Sequence, residues 1–160
     1  MNRHVRLALM SRLAKDEDDH PEAARKHLED ARALRRAERL DGAAYHSGYV
    51  VECALKAVLL HDRSFHAATG TTNAEQLATW HRKLRNKPFG HDLVALVNAA
   101  LGAEGARYLP PIASESVLGW SEQMRYHPAG KVDAFKADAY LAGAELAAGA
   151  IVQMTLDGVL

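Results

Sequence analysis

A single cysteine in 160 residues excludes a fold held by disulfides. That residue, Cys53, lies inside an apolar stretch where a thiolate is disfavoured, so it reads as a buried structural thiol. An excess of either charge is also lacking: 20 Lys plus Arg meet 20 Asp plus Glu. Nothing pulls the whole chain towards nucleic acid or an anionic membrane, and any such binding must come from a local patch. No run of about 18 apolar residues is present, which argues against a membrane span. The opening MNRHVRLALMSRLAKDEDD has too short an apolar segment for a secretory signal. There is no GxSxG, no HExxH and no Walker-type loop, and no metal or cofactor is implied. No internal repeat or linker divides the chain, so residues 1–160 are expected to form one domain, cytoplasmic and free of the membrane.

What the sequence does have is Gly42–Leu60, GAAYHSGYVVECALKAVLL, its longest nearly apolar stretch. It lacks proline and comes after Asp41, a predicted N-cap, so it reads as a helix. At about 100° per residue, Ala44, Gly48, Val51, Leu55 and Val58 form one apolar face. Tyr45, Tyr49, Glu52 and Lys56 fall within roughly 60° of one another on a second face. Glu52 and Lys56 are a favoured i,i+4 pair, and charge on a core helix must find partners. The seam has two readings, a buried ion pair that fixes the fold and a ligand site. Small Ser47 and Gly48 predict the close approach of another backbone.

Taken in order, Arg3–Lys15 predicts a short helix, Asp16–Asp19 a solvated break, and Pro21 the first turn of a helix reaching Leu40. Arg32, Arg35, Arg36 and Arg39 stripe that helix; they read as a solvated face balanced by Glu29, Asp30 and Glu38, or as a phosphate-contacting surface. His61, Asp62 and His66 match no zinc spacing and read as structural or surface residues. A helix over Ala74–Leu84, with Asn73 as cap, leads into the acid-free basic segment His81–His91, which Pro88 and Gly90 break. Helices are further predicted over His91–Leu101, from a Ser114 cap through Tyr126, and over Val132–Leu156. In the last, Ala137, Leu141, Ala144, Ala148, Ile151 and Thr155 repeat at seven-residue spacing. The fold class is therefore all-α, with about five or six helices and no strand of consequence.

AAYHSGYVVECALKAVLL resembles the signature helix of HEPN domains, with Glu52 and Lys56 filling its acid–x3–Lys arrangement. Gly90-His91-Asp92-Leu93 resembles the family's GHDL-like helix start, and Trp120 with Arg125-Tyr126 resembles its Arg-Tyr motif. The pieces run in the family's order from Ala43 to Tyr126. The resemblance implies an up-and-down helical bundle, commonly a homodimer, with roles in RNA cleavage, nucleotide binding, or toxin–antitoxin and defence systems. Fold alone does not choose among these. Tyr45, Tyr49, Glu52, Lys56, Arg125 and Tyr126 are the candidate ligand-binding set.

Catalytic members of the family carry an Arg with a His four to six residues on, which cleaves RNA through its own 2′-OH without metal. Arg85-Asn86-Lys87-Pro88-Phe89-Gly90-His91 has that spacing, making Arg85 and His91 the catalytic candidates of an endoribonuclease. Pro88 and Gly90 make the segment a loop, however. It also stands earlier than the family's usual place, where Arg125-Tyr126-His127 has its histidine only two residues on. The expected protein is thus a non-catalytic, dimeric nucleotide- or RNA-interacting regulatory module. A nucleotidyltransferase or antitoxin is the expected partner, and Arg82, Lys83, Arg85 and Lys87 the phosphate patch. The alternatives are the metal-independent endoribonuclease and a purely structural, protein-interaction domain.

Overall fold

A computed structural model describes residues 11–16, 18–66, 68–109 and 119–160. Five α-helices, two 3-10 turns and one two-stranded hairpin make up the described chain. Helix α1 spans His20–Arg36, α2 Leu40–Ser64, α3 Ala74–Arg85, α4 Leu93–Ala100 and α5 Ala134–Leu156. The 3-10 turns cover Glu104–Tyr108 and Glu122–Tyr126. Strands β1 (Phe65–His66) and β2 (Thr71–Thr72) pair antiparallel, too short to qualify the all-α architecture.

Side-chain caps explain most starts, the expected Asn73 among them. Asp19 accepts from the Glu22 backbone N–H with Pro21 in the first turn, Asn73 caps α3, Asp92 caps α4 and Asp133 caps α5. Asp41 does not cap α2, which begins at Leu40, two residues before the expected start, with Arg39 at the cap position. Its carboxylate instead accepts the backbone N–H groups of Gly130 at 2.6 Å and Val132 at 2.9 Å, latching the segment before α5 to the start of α2. Helix α1 stops at Arg36, short of Leu40, where Glu38 takes a positive φ and turns the chain into α2. Of the expected Arg3–Lys15 helix, residues 1–10 lie outside the described residues. Over residues 11–15 the chain turns instead, and Lys15 and Asp18 exchange backbone hydrogen bonds. The Ser114 cap also lies outside the described residues; after Trp120 the chain forms only the short 3-10 turn.

Helix α2 is the axis on which every other helix packs. From Val50 to Leu60 each residue is buried, because the stretch is apolar on all sides except for Glu52 and Lys56. Leu55, Leu59, Leu60, Val50, Val51 and Val58 interlock with Leu13, Leu84, Leu96 and Met154. Gly48 does admit a close neighbour, but it is a side chain rather than a backbone: the Trp120 ring occupies the space where a Cβ would stand.

Helix α5 buries Ala137, Tyr140, Gly143, Ala144, Ala147, Ala150 and Met154, a stripe displaced from the seven-residue series read from the sequence. By length and composition alone α5 could cross a membrane. Its position is instead fixed by protein contacts: Arg35 of α1 makes a paired hydrogen bond to Asp138 (2.6 and 3.1 Å), and Arg32 bonds Glu145 at 3.0 Å. Half of the arginine stripe is therefore engaged by acids of α5, not by those of its own helix; Glu29 pairs with Arg25.

Candidate functional site

The seam on α2 closes around Glu52, which is only 3% exposed. Lys56, one helical turn on and 5% exposed, donates from Nζ to Glu52 Oε1 at 2.8 Å. His91, from the loop ahead of α4, donates from Nδ1 to Glu52 Oε2 at 2.9 Å. That bond fixes the tautomer of a neutral His91 and leaves Nε2 as an acceptor. A carboxylate-oriented imidazole can take up a proton. To cleave a phosphodiester it would also need a cation on the phosphorane, and Arg85 is paired with Asp18 on the segment before α1. The two members of the Arg-x5-His spacing thus make separate contacts.

Above Glu52 lies an aromatic layer. The Tyr45 and Tyr49 hydroxyls are 3.2 Å apart, and the Tyr49 ring meets His91 and Trp120 edge-on. Trp120 donates from Nε1 to the Tyr45 carbonyl at 3.0 Å, which ties the Trp-to-Tyr segment to α2. Burial, and then Tyr45, push the Tyr49 phenol up, so it stays protonated. Arg125 does not reach the Glu52–Lys56 pair. Its guanidinium lies beside the Tyr45 hydroxyl and 4.8 Å from the centre of the Tyr126 ring, and Tyr126 is 69% exposed. Tyr45 therefore links the buried seam to a surface cavity of about 470 Å³, lined among others by Arg39, Asp41, Arg125 and His127.

The basic run is split among tasks. Arg85 is held by Asp18, the Lys83 ammonium stands 4.6 Å over the Trp80 ring, and Arg82 reaches Thr79 Oγ1 at 3.4 Å. Arg82, Lys83, Arg85 and Lys87 are all exposed. His81, in contrast, is buried, with Nε2 2.8 Å from the Leu13 carbonyl oxygen and its ring stacked on His20. Cys53 is buried, and its thiol is pushed up to about 12 by that burial.

Residues 18–69 match the HEPN domain family. The HEPN resemblance holds. The match spans α1, α2 and β1, and so contains Tyr45, Tyr49, Glu52 and Lys56 of the seam; the all-α architecture agrees with it. No curated protein and no solved structure gives a match. HEPN domains commonly dimerise and bind nucleotides or RNA, and the match supports a nucleotide- or RNA-related module in that general sense. The seam residues His91, Trp120 and Arg125 lie outside the matched segment.

Sequence reasoning missed that His91 completes the Glu52 pair, although a buried carboxylate with two oxygens and one lysine invites a second donor. It also missed a polar group on the α1–α2 interface. His61, Asp62 and His66 do not converge on a common point: Asp62 accepts from the Glu104 backbone N–H at 2.6 Å, and His61 packs on Phe65. His27, Asp30 and His46 do converge, their ligand atoms all within 4.8 Å of one another. Burial holds the imidazoles of His27 and His46 below their ordinary pKa and hence neutral near pH 7.

His20 is the most strongly shifted imidazole, held down to about 3 by burial and then by the Lys56 and His81 charges. The folded chain keeps it neutral, whereas the unfolded chain protonates it below the ordinary value of 6.5. Protons then favour the unfolded state, so stability should fall as pH drops from 6.5 towards 3. His27 and His46 add to the same slope. Urea midpoints measured from pH 7 downwards should decline before the carboxylates begin to titrate. His20→Gln should flatten that decline; an unchanged slope would show that His20 is not neutral in the folded chain.

Proposed function

We propose that this HEPN-type chain is a regulatory module that binds a nucleotide or RNA, pairs with a second copy of itself, and does not cleave RNA. The observation that carries the reading is the engagement of both nuclease candidates elsewhere. His91 orients towards a carboxylate already shared with Lys56, and Arg85 pairs with Asp18. The Arg-Tyr segment supports binding in their place. Arg125, poised between Tyr45 and the exposed ring of Tyr126, offers a phosphate contact beside a stacking surface. Arg39 and His127 line the same cavity, and the Asp41 carboxylate there already accepts two backbone N–H groups. Exposed Arg82, Lys83 and Lys87 supply longer-range attraction for a polyanion.

The outer side of α5 supports pairing. Phe135, Leu146, Val152 and Leu156 are more than half exposed on it, an apolar surface suited to a second copy. A partnership with a nucleotidyltransferase or an antitoxin fits such a module in a toxin–antitoxin or defence setting.

The deciding experiment is a titration of fluorescent single-stranded RNA at about 50 and 200 mM salt, with cleavage followed in chelator on the same samples. Wild-type affinity should fall steeply with salt, and intact RNA should remain. Arg39→Ala with Arg125→Ala should weaken binding about tenfold or more, and neutralising Arg82, Lys83 and Lys87 should flatten the salt dependence. Binding untouched by either set would reject both surfaces. Cleavage abolished by His91→Ala would establish the endoribonuclease instead.

A further inference from the structure

We propose that His27, Asp30 and His46 form a binding site for a divalent transition-metal ion of the zinc class, clamping α1 to α2. His27 and Asp30 stand three residues apart on α1 and so share a face. His46 meets them from α2. The two Nδ1 atoms lie 3.0 Å apart, and an Asp30 carboxylate oxygen is 3.8 Å from His46 Nδ1.

The separations suit one shared ion. Two nitrogens each about 2.0–2.1 Å from a tetrahedral Zn²⁺ stand roughly 3.3 Å apart, within a few tenths of the spacing here. A hydrogen bond between the rings needs one Nδ1–H and one bare Nδ1, whereas with both rings in the Nε2–H tautomer each Nδ1 directs a lone pair at a metal. The donor set, two imidazoles and one carboxylate, is borderline in softness and favours Zn²⁺, Co²⁺ or Ni²⁺ over Mg²⁺ or Ca²⁺.

The surroundings hold the rings in place. Tyr49 stacks on His27 with centroids 5.0 Å apart and planes 21° from parallel, and the Tyr45 ring meets His46 edge-on at 5.6 Å. Such packing fixes ring orientation, as the outer shell of a metal site does. His27, Asp30 and His46 are only partly buried, so an ion can enter and a water can complete its coordination. Because Tyr45 and Tyr49 belong to the aromatic layer over Glu52, the clamp would stiffen one wall of the seam.

The test is a Co²⁺ titration of the full chain after chelator treatment, read by visible absorption, with Zn²⁺ as competitor. One equivalent should bind with the intense bands of a low-coordinate site, Zn²⁺ should displace it, and the melting temperature should rise with added Zn²⁺. His27→Gln and His46→Gln should each lower Co²⁺ affinity on the order of 100-fold, and Asp30→Asn less. Undiminished one-equivalent binding in folded variants, or weak binding without these bands in wild type, would overturn the site. Imidazole ¹⁵N shifts of the wild-type chain give a readout that needs no variant. Zn²⁺ should move the Nδ1 resonances of His27 and His46 together, and unmoved resonances would also overturn it.

Discussion

Lys56→Met should destabilise the protein by about 3–5 kcal/mol, and the double variant Glu52→Gln, Lys56→Met by clearly less. The ammonium and the carboxylate are both nearly inaccessible and bonded at 2.8 Å, so removing the lysine leaves a buried carboxylate with the half-exposed His91 as its remaining partner. Removing both charges leaves a neutral glutamine at position 52 whose amide oxygen can still accept from His91, and that histidine side chain is 46% exposed and can also turn to water. Urea denaturation of the two single variants and the double would give the coupling directly. Additive losses would mean that Glu52 and Lys56 do not depend on each other, and near-zero losses would mean that water reaches the seam.

An equally large effect is expected at the contact between Gly48 and Trp120. A methyl group at residue 48 would overlap the indole ring, which is itself buried and bonded to the Tyr45 carbonyl. Gly48→Ala should therefore cost about 1–3 kcal/mol through overpacking, and more if the ring is forced out. Trp120→Ala should cost about 3–5 kcal/mol. In the Trp120→Ala background Gly48→Ala should be neutral or stabilising, because its clash partner is gone and alanine favours the helix. A Gly48→Ala penalty that persists without the indole would place its cause elsewhere.

These two sites show what was legible in the sequence. The continuous apolarity of Val50–Leu60 could only be satisfied by a helix buried on all sides, and the i,i+4 spacing of Glu52 and Lys56 set the pair before any neighbour was known. The cap at Asn73 was equally local, and Asp19, Asp92 and Asp133, which sequence reasoning did not single out, cap by the same local rule. Asp41 was misread because its contacts lie some ninety residues away, at Gly130 and Val132, and no local rule reports them. The same holds for His91 on Glu52, Arg85 on Asp18, and the meeting of His27 and Asp30 with His46. Each needs the packed arrangement of helices, which periodicity does not specify. Gly48 signalled a close approach correctly, but an indole and a backbone leave the same mark in a sequence.

The Asp41 latch also bears on the order in which the chain assembles. Helices α1 and α2 are joined by residues 37–39 alone, so their pairing closes a very short loop. Docking α5 on that pair joins residues 91 positions apart, as in the bond from Val132 to Asp41. The entropy of loop closure rises with length, so the α1–α2 hairpin is favoured as the early, local unit and α5 as the late arrival. Arg32, Arg35 and Asp41 then act as receptors laid out in advance, fixing where along the hairpin the last helix comes to rest.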